Sequence, residues 1–246
     1  MIVLHRHKLI FLKTRKTAGT SIEVFLGKYR RPGDIITAID PPIEGHMPQN
    51  QLGFFNPLTD ARPAGPWPRR ARTIASILRQ RRRYYNHMPA HELRRRLPSA
   101  VWTAYRKIAV ERNPWDKTVS MYRMLKHDRG LAVSLDDVID HYAPLNAPIY
   151  IDPETGDQLV DDLVHYETLT DGLARIFEEV GIPFSGDLGI VAKGGNRKKD
   201  DDVILSAAQA VRIERHFAQE IALMGYTQAD AATAIAQTVP SPPGPV

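Results

Sequence analysis

Cysteine is absent from this chain of 246 residues. Disulfides, thiolate metal sites and cysteine nucleophiles are thereby excluded. Also missing is any apolar run of about 20 residues, the length that a membrane-spanning helix needs. The N-terminal "MIVLHRHKLIFLKT" is apolar, but His5, Arg6, His7 and Lys8 interrupt it. It reads neither as a signal peptide nor as a span, and a cytoplasmic protein is expected. Acidic residues are scarce in one place: between Arg69 and Arg96, ten arginines stand against a single acid, Glu92. That stretch carries +9 against a whole-chain net charge of +5, which leaves −4 on the remainder. The positive charge is local, serving either a polyanionic partner or a solvated helix face.

What is present is the composition of a soluble globular protein, 43% hydrophobic and 25% charged. The length suits one sizeable core. A single domain is expected over residues 1–228, with an irregular insertion at 40–70 rich in Pro, Gly and Asn. A Pro-rich tail over 229–246 reads as a loose or disordered arm.

Hydrophobic patterning predicts strands at 8–14, 34–39, 107–112 and 163–167. Helices are expected over about 19–29, closed by Pro32 and Gly33, and over 170–180, stopped by Gly181 and Pro183. Another follows Asn113 as N-cap, with Pro114 first and Asp116 third. Pro89 reads as a first helical residue, which puts His87 just before a helix. "SLDD" (134–137) and "SAAQ" (206–209) have the form of capping boxes. Ala210, Ile213, Phe217, Ile221 and Met224 give a final helix its apolar stripe, with Gly225 at its end. Strands alternating with helices predict a three-layer α/β fold whose mostly parallel sheet is covered on both faces. Ligands of such sheets bind beyond the carboxyl ends of the strands, so loops 13–21 and 112–120 should open onto one edge.

The first of these loops follows a strand and offers Lys16, Thr17, Ala18, Gly19, Thr20 and Ser21 at a helix start. Backbone N–H groups there attract an anion, Gly19 permits close approach, and Lys16 adds a point charge. A plain hydroxyl-capped helix with basic neighbours is the alternative. The order G-x-x-x-x-G-K-[ST] of an ATPase loop is absent, because the lysine precedes the glycine. In the second segment, "VERNPWDKTVSMY", Arg112 stands at a strand end and Ser120 eight residues on, a pair able to share one phosphate.

Together, "KTAGTS" (16–21) and "RNPWDKTVS" (112–120) resemble the paired nucleotide signatures of sulfotransferases that use 3′-phosphoadenosine 5′-phosphosulfate (PAPS). The resemblance is closest to the carbohydrate-type branch, which includes the heparan and chondroitin sulfotransferases. "VHYETL", "EEVGIP" and a helix ending in "LMGY" extend it over most of residues 8–226. It implies a P-loop-like nucleotide fold and PAPS as co-substrate, with no metal. It also implies that Lys16, Thr17, Ala18, Gly19, Thr20 and Ser21 hold the 5′ end, and Arg112 and Ser120 the 3′-phosphate. "KGGNRKK" (193–199), with Asn196, Arg197 and Lys198, stands where the family closes a loop over the nucleotide; a solvated basic turn is the other reading. The chain departs from the family at Arg15, where a proline is usual, and in lacking an aromatic platform for adenine.

Sulfuryl transfer to a hydroxyl or amine calls for a base, and histidine suits neutral pH. The resemblance points to His87, in a setting similar to the family's H-x-P/S. His91 is the runner-up and His46 a third. Lys16 would stabilise charge on the bridging oxygen as the sulfuryl group leaves. The arginine cluster fits an anionic saccharide or another anionic acceptor without identifying it, a small metabolite, lipid or bacterial saccharide stays open, and a nucleic acid is not expected. Two other classes stay open: a nucleotide kinase or NTPase, and a non-catalytic polyanion-binding module using the 69–96 arginines.

Overall fold

A computed structural model describes residues 1–53, 71–72, 74–75, 83–189, 203–227 and 229–231. The 54–70 part of the insertion, Arg69, Arg70, Arg79, Arg81 and Arg82 of the arginine stretch, Asn196, Arg197, Lys198 and the tail from 232 onward lie outside them. Five strands make the sheet among the described residues: β1 (Ile2–Leu4), β2 (Leu9–Phe11), β3 (Ile35–Ile36), β4 (Arg106–Glu111) and β5 (Asp162–His165). Helices follow as α1 (Gly19–Gly27), α2 (Ala90–Arg96), α3 (Ser99–Ala104), α4 (Pro114–Arg123), α5 (Leu135–Asp137), α6 (Ala147–Tyr150), α7 (Leu169–Glu179), α8 (Ala207–His216) and α9 (Ala218–Met224).

The spatial order is β3-β1-β2-β4-β5. β2 pairs parallel with β4, and β4 with β5, whereas β1 is antiparallel to both of its neighbours. Four strands therefore share one direction, and β1 alone opposes them, which makes the α/β sheet mixed. The sequence reading had no strand at residues 2–4. A connection as short as His5–Lys8 can only return the chain antiparallel, and Lys8 (φ 46°) donates to the His5 carbonyl across that turn at 3.3 Å. The predicted strand at 34–39 shortens to Ile35–Ile36, and Gln49 of the insertion pairs with Ile36 beyond it.

Alternation along the strands covers both faces of the sheet. Val3, Ile10, Leu12 and Ala109 pack with Met88, Leu93 and Tyr150 on one side. Ile2, Leu4, Leu9, Phe11, Ile108 and Val110 pack on the other with Ile22 and Phe25 of α1 and Leu173 and Phe177 of α7. The result is three layers. A third cluster joins Trp115 and Val119 of α4 to Ile213, Phe217 and Met224. The predicted final helix is broken at Phe217 (φ −108°, ψ 24°), whose ring is fully buried there. Its apolar stripe continues across the break because both halves bury the same face. Asp230 and Ala231, at the start of the expected tail, are packed: the Asp230 carbonyl accepts from Asn113 Nδ2 at 2.9 Å, and Ala231 joins the third cluster. No helix among the described residues is long and apolar enough to cross a membrane.

Close contact between α7 and β5 depends on a missing side chain. A Cβ at Gly172 would lie 2.5 Å from Val164 Cγ1. Gly172→Ala is expected to cost about 1–3 kcal/mol through overpacking. Val164→Ala in the same chain should relieve part of that cost, so the double variant is more stable than the sum of the singles by about 1 kcal/mol in urea unfolding. Strict additivity would rule the steric explanation out.

Candidate functional site

Because β2, β4 and β5 run parallel, the segments after Phe11, Glu111 and His165 gather at one edge of the sheet. The first of them, residues 12–18, is held by side chains at several points. Thr14 donates to the Val110 carbonyl and shares a 2.7 Å hydrogen bond with the buried Thr17 hydroxyl. The Thr17 hydroxyl thus faces the protein, since a buried hydroxyl takes the nearest partner. Lys16 (φ 65°) and Ala18 (φ 56°) are both left-handed. Non-glycine residues in this region cost about 1–2 kcal/mol each and persist where surrounding contacts over-determine them.

α1 begins directly after the loop. Ala18 at its N-cap supplies no side-chain hydrogen bond, and no acid lies in the first turn. The partial positive charge at this helix start, with N–H groups of Gly19, Thr20 and Ser21, is therefore not offset by a capping carboxylate. Gly19 is required by crowding: a Cβ there would lie 2.7 Å from Lys13 Cγ and 3.3 Å from the Thr14 carbonyl oxygen. Lys13 runs beneath the helix start and ends 2.6 Å from Glu23 Oε2, both groups buried, with the Met1 ammonium on the other carboxylate oxygen. Burial alone would raise the Glu23 carboxyl, but the two cations together hold it below its ordinary value. Lys13 is neutralised inside, and Lys16, half-buried, and Arg15, exposed, are the cations of the loop itself.

The structure brings Arg112, Ser120 and this loop together. Arg112 Nη1 donates to the Lys16 carbonyl at 3.0 Å and to Ser120 Oγ at 3.3 Å. Its Nε donates to Asp116 Oδ2 at 2.6 Å, and its guanidinium lies 4.2 Å from the centroid of the Tyr166 ring. Asn113 caps α4 as expected, its Oδ1 accepting from the amides of Trp115 and Asp116.

His87 reaches the same edge from the opposite face of the sheet. Pro89 is the N-cap of α2 and not its first residue, because its ψ of 144° is extended, so the helix starts one place later than expected. His87 is left-handed (φ 57°), and its Nδ1 is 3.0 Å from the Lys13 carbonyl. Nδ1–H must be the donor in that bond, which leaves the lone pair on Nε2. Burial, with the charges of Lys13 and Arg15, lowers its pKa to about 4, against the backbone bond that favours the charged form. The expectation of a base near neutral pH did not include these neighbours. His91 Nδ1 is buried with no hydrogen-bond partner, and His46 Nε2 is 2.8 Å from the Thr37 carbonyl.

Sequence reasoning missed the group behind the site. Glu111 is fully buried, and its carboxylate accepts from Lys117 Nζ (2.8 Å), Tyr150 OH (2.9 Å), Asn146 Nδ2 (3.1 Å) and the Arg112 amide (2.9 Å). Burial and the carboxylate together push the Tyr150 phenol far above its ordinary value. An acid directly before the arginine signature was the only available hint. Of the arginine stretch, Arg96 is a core residue: it is buried, donates to the Arg83 carbonyl and Glu92, and stacks on Tyr85. Arg72, Arg94 and Arg95 are exposed.

Fold and site define an α/β protein with a cationic edge at the ends of its parallel strands. The chain is 32% identical over 108 residues to an uncharacterized protein of Archaeoglobus fulgidus, an alignment taking in 42% of this chain and 90% of that protein. It belongs to the same family as that archaeal protein. No family model matches the chain, and no solved structure matches it.

The state of His87 makes stability depend on pH. An unfolded histidine takes a proton near pH 6.5 and the folded His87 only near 4. Between those values the unfolded state binds more protons, so stability falls as pH falls, by at most about 3 kcal/mol. His87→Asn, which tolerates a left-handed backbone, should lose less stability than wild type between pH 7 and 4.5 in urea unfolding. Equal losses would show an unperturbed histidine.

Proposed function

We propose that the protein is a PAPS-dependent sulfotransferase with a P-loop-like nucleotide site at the ends of its parallel strands, moving a sulfuryl group to a hydroxyl or amine. The observation that carries the reading is the Arg112 guanidinium, which bonds Ser120 and the Lys16 main chain at once. Two signatures 96 residues apart thereby meet, as a ligand with anionic groups at both ends of a ribose requires.

In this reading the start of α1, with Lys16, Thr20 and Ser21, faces the 5′-phosphosulfate, and Arg112 and Ser120 take the 3′-phosphate. The acceptor oxygen or nitrogen attacks sulfur in line. The bond from sulfur to the bridging oxygen breaks, and 3′,5′-adenosine bisphosphate leaves. Charge developing on that oxygen is met by Lys16, which stabilises the transition state more than the ground state. The acceptor proton passes to His87 Nε2, which carries the lone pair because Nδ1–H is donated to the Lys13 carbonyl. The anionic donor screens Lys13 and Arg15 and raises His87 in the complex. The exposed Arg94 and Arg95, on the helix that follows His87, suit an anionic acceptor.

Calorimetry without magnesium tests the reading. 3′,5′-Adenosine bisphosphate should bind, and Arg112→Ala should weaken it by about 10–100-fold. His87→Asn should bind the nucleotide normally while turnover falls by about 10²–10⁴-fold. The acid limb of kcat should lie at higher pH than that of kcat/KM. Preference for ATP with magnesium would indicate a kinase or NTPase. Salt-sensitive heparin binding that ignores Lys16, with no nucleotide binding, would indicate a polyanion module.

A further inference from the structure

We infer that Asn146 is a positioning residue that fixes the anion loop and links it to the arginine site; its nucleotide consequence rests on the proposed function. Asn146 is fully buried, just before α6. Its Oδ1 accepts the Arg15 N–H at 2.8 Å, and its Nδ2 donates to the Arg15 carbonyl at 3.1 Å. The side chain thus occupies both main-chain groups of Arg15, as a neighbouring strand would. This pairing sets the orientation of the amide, since a flip would oppose carbonyl to carbonyl and N–H to N–H. The other Nδ2 hydrogen goes to Glu111 Oε1, and Glu220 Oε1 holds the Asn146 and Ala147 amides at 3.0 and 3.2 Å. Glu220 is itself buried, so the anchor is fixed from α9.

The bonds form a closed circuit. Arg15 meets Asn146, Asn146 meets Glu111, the same Glu111 oxygen accepts the Arg112 amide, and Arg112 returns to the Lys16 carbonyl. Consecutive carbonyls of a loop with two left-handed residues are thus held from one buried carboxylate, one through Asn146 and one through Arg112. A displacement at either anion site passes to the other along this circuit. Tyr150 provides the internal control, because its hydroxyl bonds the other Glu111 oxygen and makes no hydrogen bond to the loop.

The test compares Asn146→Ala with Tyr150→Phe in the full chain, at temperatures where both are folded. Amide hydrogen exchange over residues 15–18 should rise by at least about tenfold in Asn146→Ala and stay near wild type in Tyr150→Phe. Affinity for 3′,5′-adenosine bisphosphate should fall by about tenfold or more in the first variant and stay within about threefold in the second. Should Asn146→Ala fail to fold, Asn146→Asp has the same shape, loses both amide donors, and is expected to raise the same exchange. Unchanged exchange at 15–18, or equal effects from both positions, overturns the positioning role. Raised exchange with no nucleotide binding by wild type supports that role and removes the sulfotransferase reading instead.

Discussion

One buried carboxylate organises this edge of the protein. Glu111 sits at the end of β4 with no exposure and four hydrogen-bond donors around it. A charge so placed is tolerated only when its lone pairs are filled, so each donor's place is constrained by it. Lys117 orients α4, and its ammonium also lies 4.4 Å from the Phe217 ring, at the break between α8 and α9. Asn146 carries the constraint to the loop before α1. The Arg112 amide carries it to the guanidinium that meets Ser120. Strand end, loop and C-terminal helices thereby share one electrostatic centre.

A second carboxylate, Glu23, performs a related task beneath α1. By pairing with Lys13 it removes that charge from the edge and permits the tight contact between Lys13 and Gly19. What remains at the surface of the loop is Lys16 and Arg15. His87 lies against the same strand end, its Nδ1–H on the Lys13 carbonyl, and burial, with the charges of Lys13 and Arg15, keeps it neutral.

Local patterns in the chain announced much of this. Asn113 and Pro114, and the Ser206–Gln209 and Ser134–Asp137 pairs, form the caps their sequences describe, since a cap involves only residues within one turn. The Arg112 and Ser120 spacing was legible for the same reason: two helical turns separate them. β1 was not, because three residues beside a charged turn carry too little periodicity. The break at Phe217 was hidden by a stripe that runs through it. Asn146 gave no signal at all, being 131 residues from the Arg15 backbone it holds.

The sequence by itself determined the units of this protein, strand, basic loop and capped helix, because hydrophobic alternation and capping act over a few residues. It also determined that the segments after β2 and β4 would open on one edge, since parallel strands leave no other arrangement. The tertiary structure alone decided what these groups are like when assembled. It aimed Arg112 between Asp116, Ser120 and the Lys16 carbonyl, turned Thr17 inward, and withdrew Arg96 into the core. It lowered His87 and placed Asn146. Each of these depends on burial and on charges brought together across long stretches of chain, which a local pattern of residues does not encode.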